Sequence, residues 1–207
     1  MASIYDTIYP KFKKEFTQIE LQEIYTPTEA ELKFADKVTG RKSTKLCFLI
    51  TLKCFQRLGY FISITNVPDS IASHISDFSN ISISETTKLN YNKSGIKKKH
   101  IQIIRELLNV KPFDHEARHL IVTAIGKAAK TKDEPTDLIN IAIEELVKNS
   151  YELPAFSTIE RAVNRIRVSV NRSFYRKIFD SLDEEEVNKI NNLLENDEDL
   201  KSTPWNM

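Results

Sequence analysis

The chain has 207 residues, of which 41% are hydrophobic and only 4 are glycine. That is room for one large domain or two small ones with a real buried core. Basic residues number 30 and acidic ones 29, a net charge of +1, which excludes a histone-like protein that coats DNA through bulk charge. The charge is nevertheless segregated. Basic residues crowd 93–105 and 161–177, and acidic ones crowd 180–186 and 195–199.

Long stretches repeat their apolar residues with helical period and few alternate as strands do, so the fold class expected is all-α. Residues 1–20 carry Tyr5, Ile8, Tyr9, Phe12 and Phe16 around Pro10, an aromatic arm suited to packing on something else. Thr26-Pro27-Thr28-Glu29 reads as a helix start, with Thr26 as cap and Pro27 in the first turn; the helix runs to about Val38 and Gly40 ends it. The next helix spans 43–58. Its apolar face is Leu46, Leu49, Ile50, Cys54 and Leu58, its polar face holds Lys45, Lys53, Gln56 and Arg57, and Gly59 closes it. Val67-Pro68-Asp69 opens a short helix to about Ser76. Residues 76–87, rich in serine and asparagine, read as a loop with one turn of helix.

Ser94-Gly95 caps a helix to about Leu108, apolar at Ile96, Ile103, Ile104, Leu107 and Leu108. Its polar face presents Lys98, Gln102 and Arg105. Residues 109–114, with Pro112, mark a boundary between two units: 1–110, with the aromatic arm, and 111–207, with an acidic tail. Beyond it helices are expected at 114–130, 135–149, 157–179 and 183–194, the last apolar at Val187, Ile190 and Leu194.

The helix at 157–179 carries a stripe of arginines. Arg161, Arg165, Arg172 and Arg176 fall within about 60° of each other and span about 22 Å of rod. Ile159, Val163, Ile166, Val170 and Phe174 fall opposite. Guanidinium forks suit phosphate oxygens and the acceptor edge of guanine. Both basic helices follow shorter helices and a turn, which is the plan of a helix-turn-helix unit. The expectation is therefore two consecutive helix-turn-helix-like units joined by a short linker. In the first, Lys98, Gln102 and Arg105 reach base edges, while Lys93, Lys97 and Lys99 meet phosphates. In the second, Arg161 and Arg165 read bases, and Arg172, Arg176 and Lys177 lie with the backbone contacts. The competing readings are plainly solvated faces, basic faces masked by the acidic tail, and a protein-interaction or regulatory module that meets an acidic partner.

No catalytic constellation stands out: Ser/His/Asp signatures, phosphate-cradling glycine loops and spaced cysteine pairs are missing from the sequence. Cys47 and Cys54 lie two turns apart on one helix and read as buried apolar thiols. His115 and His119 are spaced for a metal but have no third ligand nearby, and His100 falls on the apolar side of its helix. No metal or cofactor is expected in this chain. The longest apolar run, 46–52, is too short to span a bilayer, and the two lone cysteines suit a reducing cytoplasm, which is the expected location.

Several blocks resemble, in order, the N-terminal region of replicative transposases of the Tn-three type. They are LCFLITLKCFQRLGYF at 46–61, Val67-Pro68, Tyr91 with the run 97–105, and Leu153-Pro154 followed by Ile159-Glu160-Arg161. The resemblance runs from about Thr26 to Leu182 and departs from the family pattern at Tyr60, Lys97 and Lys98. It implies binding of double-stranded DNA at the terminal inverted repeats of a transposon. It also implies that cleavage and joining belong to a distant ribonuclease-H-like domain whose Asp, Asp and Glu hold magnesium. Such a domain does not fit in this chain, which is then a truncated product or an excised fragment, with self-association left to the full-length protein.

Overall fold

A computed structural model describes residues 3–194 and is all-α: among these residues there are ten α-helices, the first a single turn, and no strand. The acidic run 195–199 and the rest of the tail lie outside the described residues.

The chain enters as an extended arm. One helical turn, α1 (Gln18–Glu20), is capped reciprocally by Thr17 and Glu20 and widens into a π-helical turn over Leu21–Tyr25. Then α2 (Glu29–Val38) begins one cap later than the sequence suggests. The cap is Thr28, not Thr26: its Oγ1 accepts from the Glu31 amide, and the Glu31 carboxylate accepts from the Thr28 amide at 2.7 Å. Pro27 thus precedes the cap, because a capping box satisfies two orphan amides where Thr26 satisfies none. The C-cap is Thr39 rather than Gly40.

Helix α3 (Lys42–Leu58) is the axis of the first core. It is buried on every side from Leu46 to Phe55, so the polar face expected at Lys53 does not exist. Lys53 reaches the same Glu31 carboxylate that caps α2 (3.4 Å), and Gln56 donates to that carboxylate at 2.7 Å. Burial works against ionising Glu31, but the Thr28 amide, Gln56 and Lys53 together hold its carboxyl below the usual range. Gly59 ends α3 at φ +72°, a left-handed C-cap that glycine reaches without strain.

Helices enter both ends of the stretch 76–87, which the sequence reads as a loop with one turn of helix. α4 (Asp69–Ser79) runs three residues further than expected and ends at Asn80 in the left-handed conformation. α5 (Glu85–Lys93) is capped by Ser84. α6 (Gly95–Leu108) starts at Ser94 as expected and ends on left-handed Asn109. Only His100 and Ile104 are fully buried on α6, while Ile96 and Leu107 are exposed, so its apolar face is narrower than the pattern implied. Together α2 to α6 and the 21–25 turn enclose the first core.

The second core is a three-helix unit of α7 (His115–Ala128), α8 (Pro135–Lys148) and α9 (Phe156–Ser181). α9 joins it through Ile159 and Val163, with Ile166 half-buried against them. Beyond Val170 it leaves the core: Phe174, expected on the buried side, is 61% exposed. α10 (Glu184–Leu194) follows, with Val187 half-buried and Ile190 exposed; the Leu194 side chain lies outside those described.

The segment 150–156 joins the two cores. Glu152 receives a bidentate pair from Arg105 of α6 (2.9 and 2.8 Å), and its Oε1 also accepts from the Phe113 amide at 3.1 Å. Backbone bonds run from the Lys111 amide to the Ser150 carbonyl (2.8 Å), from the Glu152 amide to the Lys111 carbonyl (2.9 Å) and from the Leu153 amide to the Gly59 carbonyl (2.8 Å). The aromatic arm crosses here too. Tyr9 is buried in the second core, stacks on Tyr60, meets Phe156 edge-on, and donates to the Pro154 carbonyl at 2.8 Å, while Phe12 and Phe16 pack on the first core.

Removing Glu152 strips a half-buried guanidinium and a backbone amide of their acceptor at once. Glu152→Ala is expected to lower unfolding free energy by about 2–3 kcal/mol, and Arg105→Ala by less, because the Phe113 amide keeps its acceptor there. Urea unfolding of the two variants, compared at equal m-value, checks the order; equal losses would show that the amide contact contributes nothing.

Candidate nucleic-acid interface

Two basic surfaces are expected from the sequence, and the structure separates their cations into those tied up inside the protein and those that are not. On α6, Lys93, Lys98 and Lys99 are exposed. Lys97 is half-buried, with its ammonium 3.1 Å from the Asn92 Oδ1, and burial pulls its pKa down from the ordinary lysine value. The same Asn92 oxygen accepts from the Ile64 amide at 3.1 Å, so Lys97 braces the junction of α5, α6 and the turn before α4. Gln102 is exposed and donates to Glu106 one turn on (2.7 Å). Arg105 does not present its guanidinium outward: both its forks meet Glu152, and its plane lies 5.5 Å from the Phe61 ring. The Arg105 fork, expected at a base edge, is engaged by Glu152 in this structure, since a half-buried carboxylate partner outcompetes solvent for an arginine fork.

Beneath this surface His100 is buried. Its Nδ1 lies 2.9 Å from the Tyr91 hydroxyl, and the ring meets Phe48 edge-on at 5.2 Å between centroids. Burial first, and the nearby Lys99 charge second, push its pKa down to about 4.

On α9 the arginines divide by face. Arg167 points toward the α7–α8 loop and is held bidentately by Asp133 at 2.8 and 3.2 Å, which keeps the Asp133 carboxyl below its ordinary range. Arg161, Arg165, Arg172, Arg176 and Lys177 are exposed, and among the described residues none of them forms an ion pair. The Nε of Arg161 donates to the Ser157 carbonyl of its own helix at 2.9 Å, which leaves the rest of the fork free to meet a ligand. Sequence reading missed that Lys130, Lys132 and Lys177 line one groove of about 630 Å³ with Asn171, Ser173 and Tyr175. The spacing of Lys127, Lys130 and Lys132 was the one signal of it, but the partners come from a helix some forty positions later.

A family model described as "Domain of unknown function (DUF4158)" matches residues 4–166. The chain belongs to the DUF4158 family. The family region takes in the arm, both cores, the Glu152 junction and the first turns of α9 with Arg161 and Arg165. It stops where α9 leaves the core. The chain is also similar to the "Transposase for transposon Tn1546" of Enterococcus faecium, 22% identical over 196 residues that make up 91% of this chain and 20% of that protein. It is 24% identical over 180 residues to the "Transposase for transposon Tn501" of Pseudomonas aeruginosa, covering 86% of this chain and 18% of the relative. The chain thus spans about a fifth of the length of the curated relatives it matches. Together these matches relate this DUF4158 chain to transposases of the Tn-three type, as the order of its sequence blocks suggested. No helix among the described residues is long and apolar enough to cross a membrane.

The buried imidazole makes stability depend on acidity. The unfolded chain takes up a proton near the ordinary histidine value of 6.5, and the folded one near 4. The unfolded state therefore binds more protons between those values, and stability rises with pH across that window and is lost as pH falls through it. Comparing unfolding free energies at pH 7 and pH 4 should show His100→Asn losing less stability than the parent, by on the order of 2 kcal/mol. An identical pH dependence in both proteins would mean that His100 does not titrate abnormally.

Proposed function

We propose that this chain binds double-stranded DNA at the terminal inverted repeats of a transposon, as the N-terminal part of a transposase acting in DNA transposition. Its similarity to two transposases supports the class of protein. The observation that carries the DNA reading is the state of the arginines on α9. Arg167 is neutralised within the fold, while Arg161, Arg165, Arg172 and Arg176 stand exposed along one side with no carboxylate partner among the described residues. A rod with one face in a core and arginine forks on the other is suited to a major groove.

In this reading Arg161 and Arg165, on the first turns of α9, contact base edges. Arg172, Arg176 and Lys177 meet the phosphate backbone. On α6, Lys98 and Gln102 face base edges, and Lys93 and Lys99 neutralise phosphates; Lys97 acts from its braced position beneath them. Arg105 supports this surface through Glu152. Strand cleavage and joining fall to a separate domain of the full-length protein.

The test is a titration of labelled inverted-repeat duplex against scrambled duplex over a salt series. Affinity should fall steeply with salt for both, with a preference for the repeat. Arg161→Ala combined with Arg165→Ala should weaken repeat binding by about 1–3 kcal/mol for each arginine that pairs bidentately with a base. Lys99→Ala should weaken both duplexes alike and reduce the salt slope by about 1. Unchanged repeat binding in the double variant removes α9 as a reader, and no preference for the repeat at any salt favours a module that meets an acidic protein.

A further inference from the structure

The aromatic arm belongs to both cores and divides between them at Pro10. Ahead of that residue, Ile4 and Tyr9 pack in the second core. Beyond it, Phe12 and Phe16 pack against the first, with Phe16 edge-on to Tyr25 at 5.7 Å between centroids. Proline fixes its own φ and keeps the residue before it extended, so the chain crosses between the cores without folding back. Three side-chain hydrogen bonds hold the crossing. The Ile8 amide donates to the Asn140 Oδ1 on α8 at 3.0 Å, the Tyr9 hydroxyl to the Pro154 carbonyl, and the Tyr60 hydroxyl to the Pro10 carbonyl at 3.1 Å. Helix α9 begins two residues after Pro154. Its N-cap, Ala155, has no side-chain oxygen to satisfy the first amides, and the Tyr9 ring lies against its first residue, Phe156.

The Arg105–Glu152 pair and the backbone bonds of Ser150, Glu152 and Leu153 all fall within residues 150–153. Attachments that close together act as a hinge. The arm adds one well away from them: Asn140 lies about 12 Å along α8 from its last residue, Lys148, at 1.5 Å per residue. Pair and arm also border one cleft of about 400 Å³, lined by Tyr9, Tyr60, Arg105, Glu152 and Phe156. We infer that residues 4–16 are a strap that holds the two cores in one relative orientation, and that Tyr9, its anchor, is a positioning residue for recognition of the repeat. The second half rests on the DNA reading proposed above. In that reading α6, on the first core, and α9, on the second, engage one duplex together. Two linked modules gain over either alone only where their geometry permits simultaneous engagement. A swing of about 10° displaces a side chain about 14 Å from the pivot, as Arg165 is from Phe156, by about 2 Å, more than a bidentate hydrogen bond tolerates. The strap touches no base, yet it sets whether both faces meet the same site.

The test compares Tyr9→Ala, which removes the anchor, with Tyr9→Phe, which keeps the ring and loses only the hydroxyl, both in the full chain. Nitroxide labels at Lys33→Cys on α2 and Val147→Cys on α8, both exposed positions, report the distance between the cores by pulsed electron paramagnetic resonance. Cys47 and Cys54 are buried, and burial pushes both thiols up to about 12, so they stay unlabelled. The parent should give one narrow distance, Tyr9→Phe a wider one and Tyr9→Ala the widest. In unlabelled protein, Tyr9→Ala should lose on the order of tenfold in preference for repeat over scrambled duplex. Its affinity for scrambled duplex, set by cations left in place, should not change. A tyrosine that only stabilises the fold moves neither the width nor that preference. Far-ultraviolet circular dichroism matching the parent shows each variant folded; if Tyr9→Ala unfolds, Tyr9→Phe carries the test. A distance as narrow as the parent's overturns the strap. A broadened distance with unchanged preference overturns the role of Tyr9 in recognition. A parent that does not prefer the repeat overturns the DNA reading and that role with it, and the distance widths still decide the strap.

Discussion

One carboxylate holds the architecture together. Glu152 sits on the short segment between α8 and α9, and it accepts from the Arg105 fork on α6 and from the Phe113 amide in the linker. A half-buried acid in that position has to be neutralised, and the cation that reaches it belongs to the other core. The backbone bonds from Lys111 and Leu153 and the crossing of Tyr9 act at the same place. Two helical units that each bury their own apolar faces are thereby fixed in one mutual arrangement. The direction in which α9 leaves the molecule follows, because the segment that begins it is the clasped one.

That arrangement decides which arginines are paired within the fold. Among the described residues, two bidentate pairs join distant elements, Arg105 with Glu152 and Arg167 with Asp133, and both take a guanidinium out of circulation. The first is half-buried and braces the two cores. The second is exposed at the acid, so it contributes little to stability and mostly orients the α7–α8 loop along α9. What is left is a set of arginines with one orientation on one rod. Their surplus charge is local even though the chain is nearly neutral, and locality matters because screening confines each charge to about a Debye length.

Much of the local structure was readable from residues alone. Gly59 after an apolar helix, Ser94 before a lysine-rich one and Pro135 at a helix start each state a boundary through backbone chemistry, and each stands where expected. Thr28 shows the limit: with Thr26 two residues earlier, the choice of cap rests on whether Glu31 can fold back, and that is a matter of geometry. Lys53 shows another. Its helix is apolar on one face by pattern, yet neighbouring elements surround it, and a lysine on the nominally polar side is buried onto an acid twenty-two residues away.

Sequence by itself determined that the chain is helical, where most helices begin and end, and that α9 carries a one-sided row of arginines. Those properties depend on hydrogen bonds and side-chain periodicity within a few residues, so they are written locally. Only the tertiary structure decided that Arg105 serves Glu152, that the partner of His100 is the Tyr91 hydroxyl, and that Tyr9 of the aromatic arm sits in the second core. Each of those depends on which surfaces meet when the helices close on one another, and no local spacing encodes it. The same holds for Phe174: its helical period assigned it to the buried side, but burial needs a partner surface, and the second core ends before α9 reaches it.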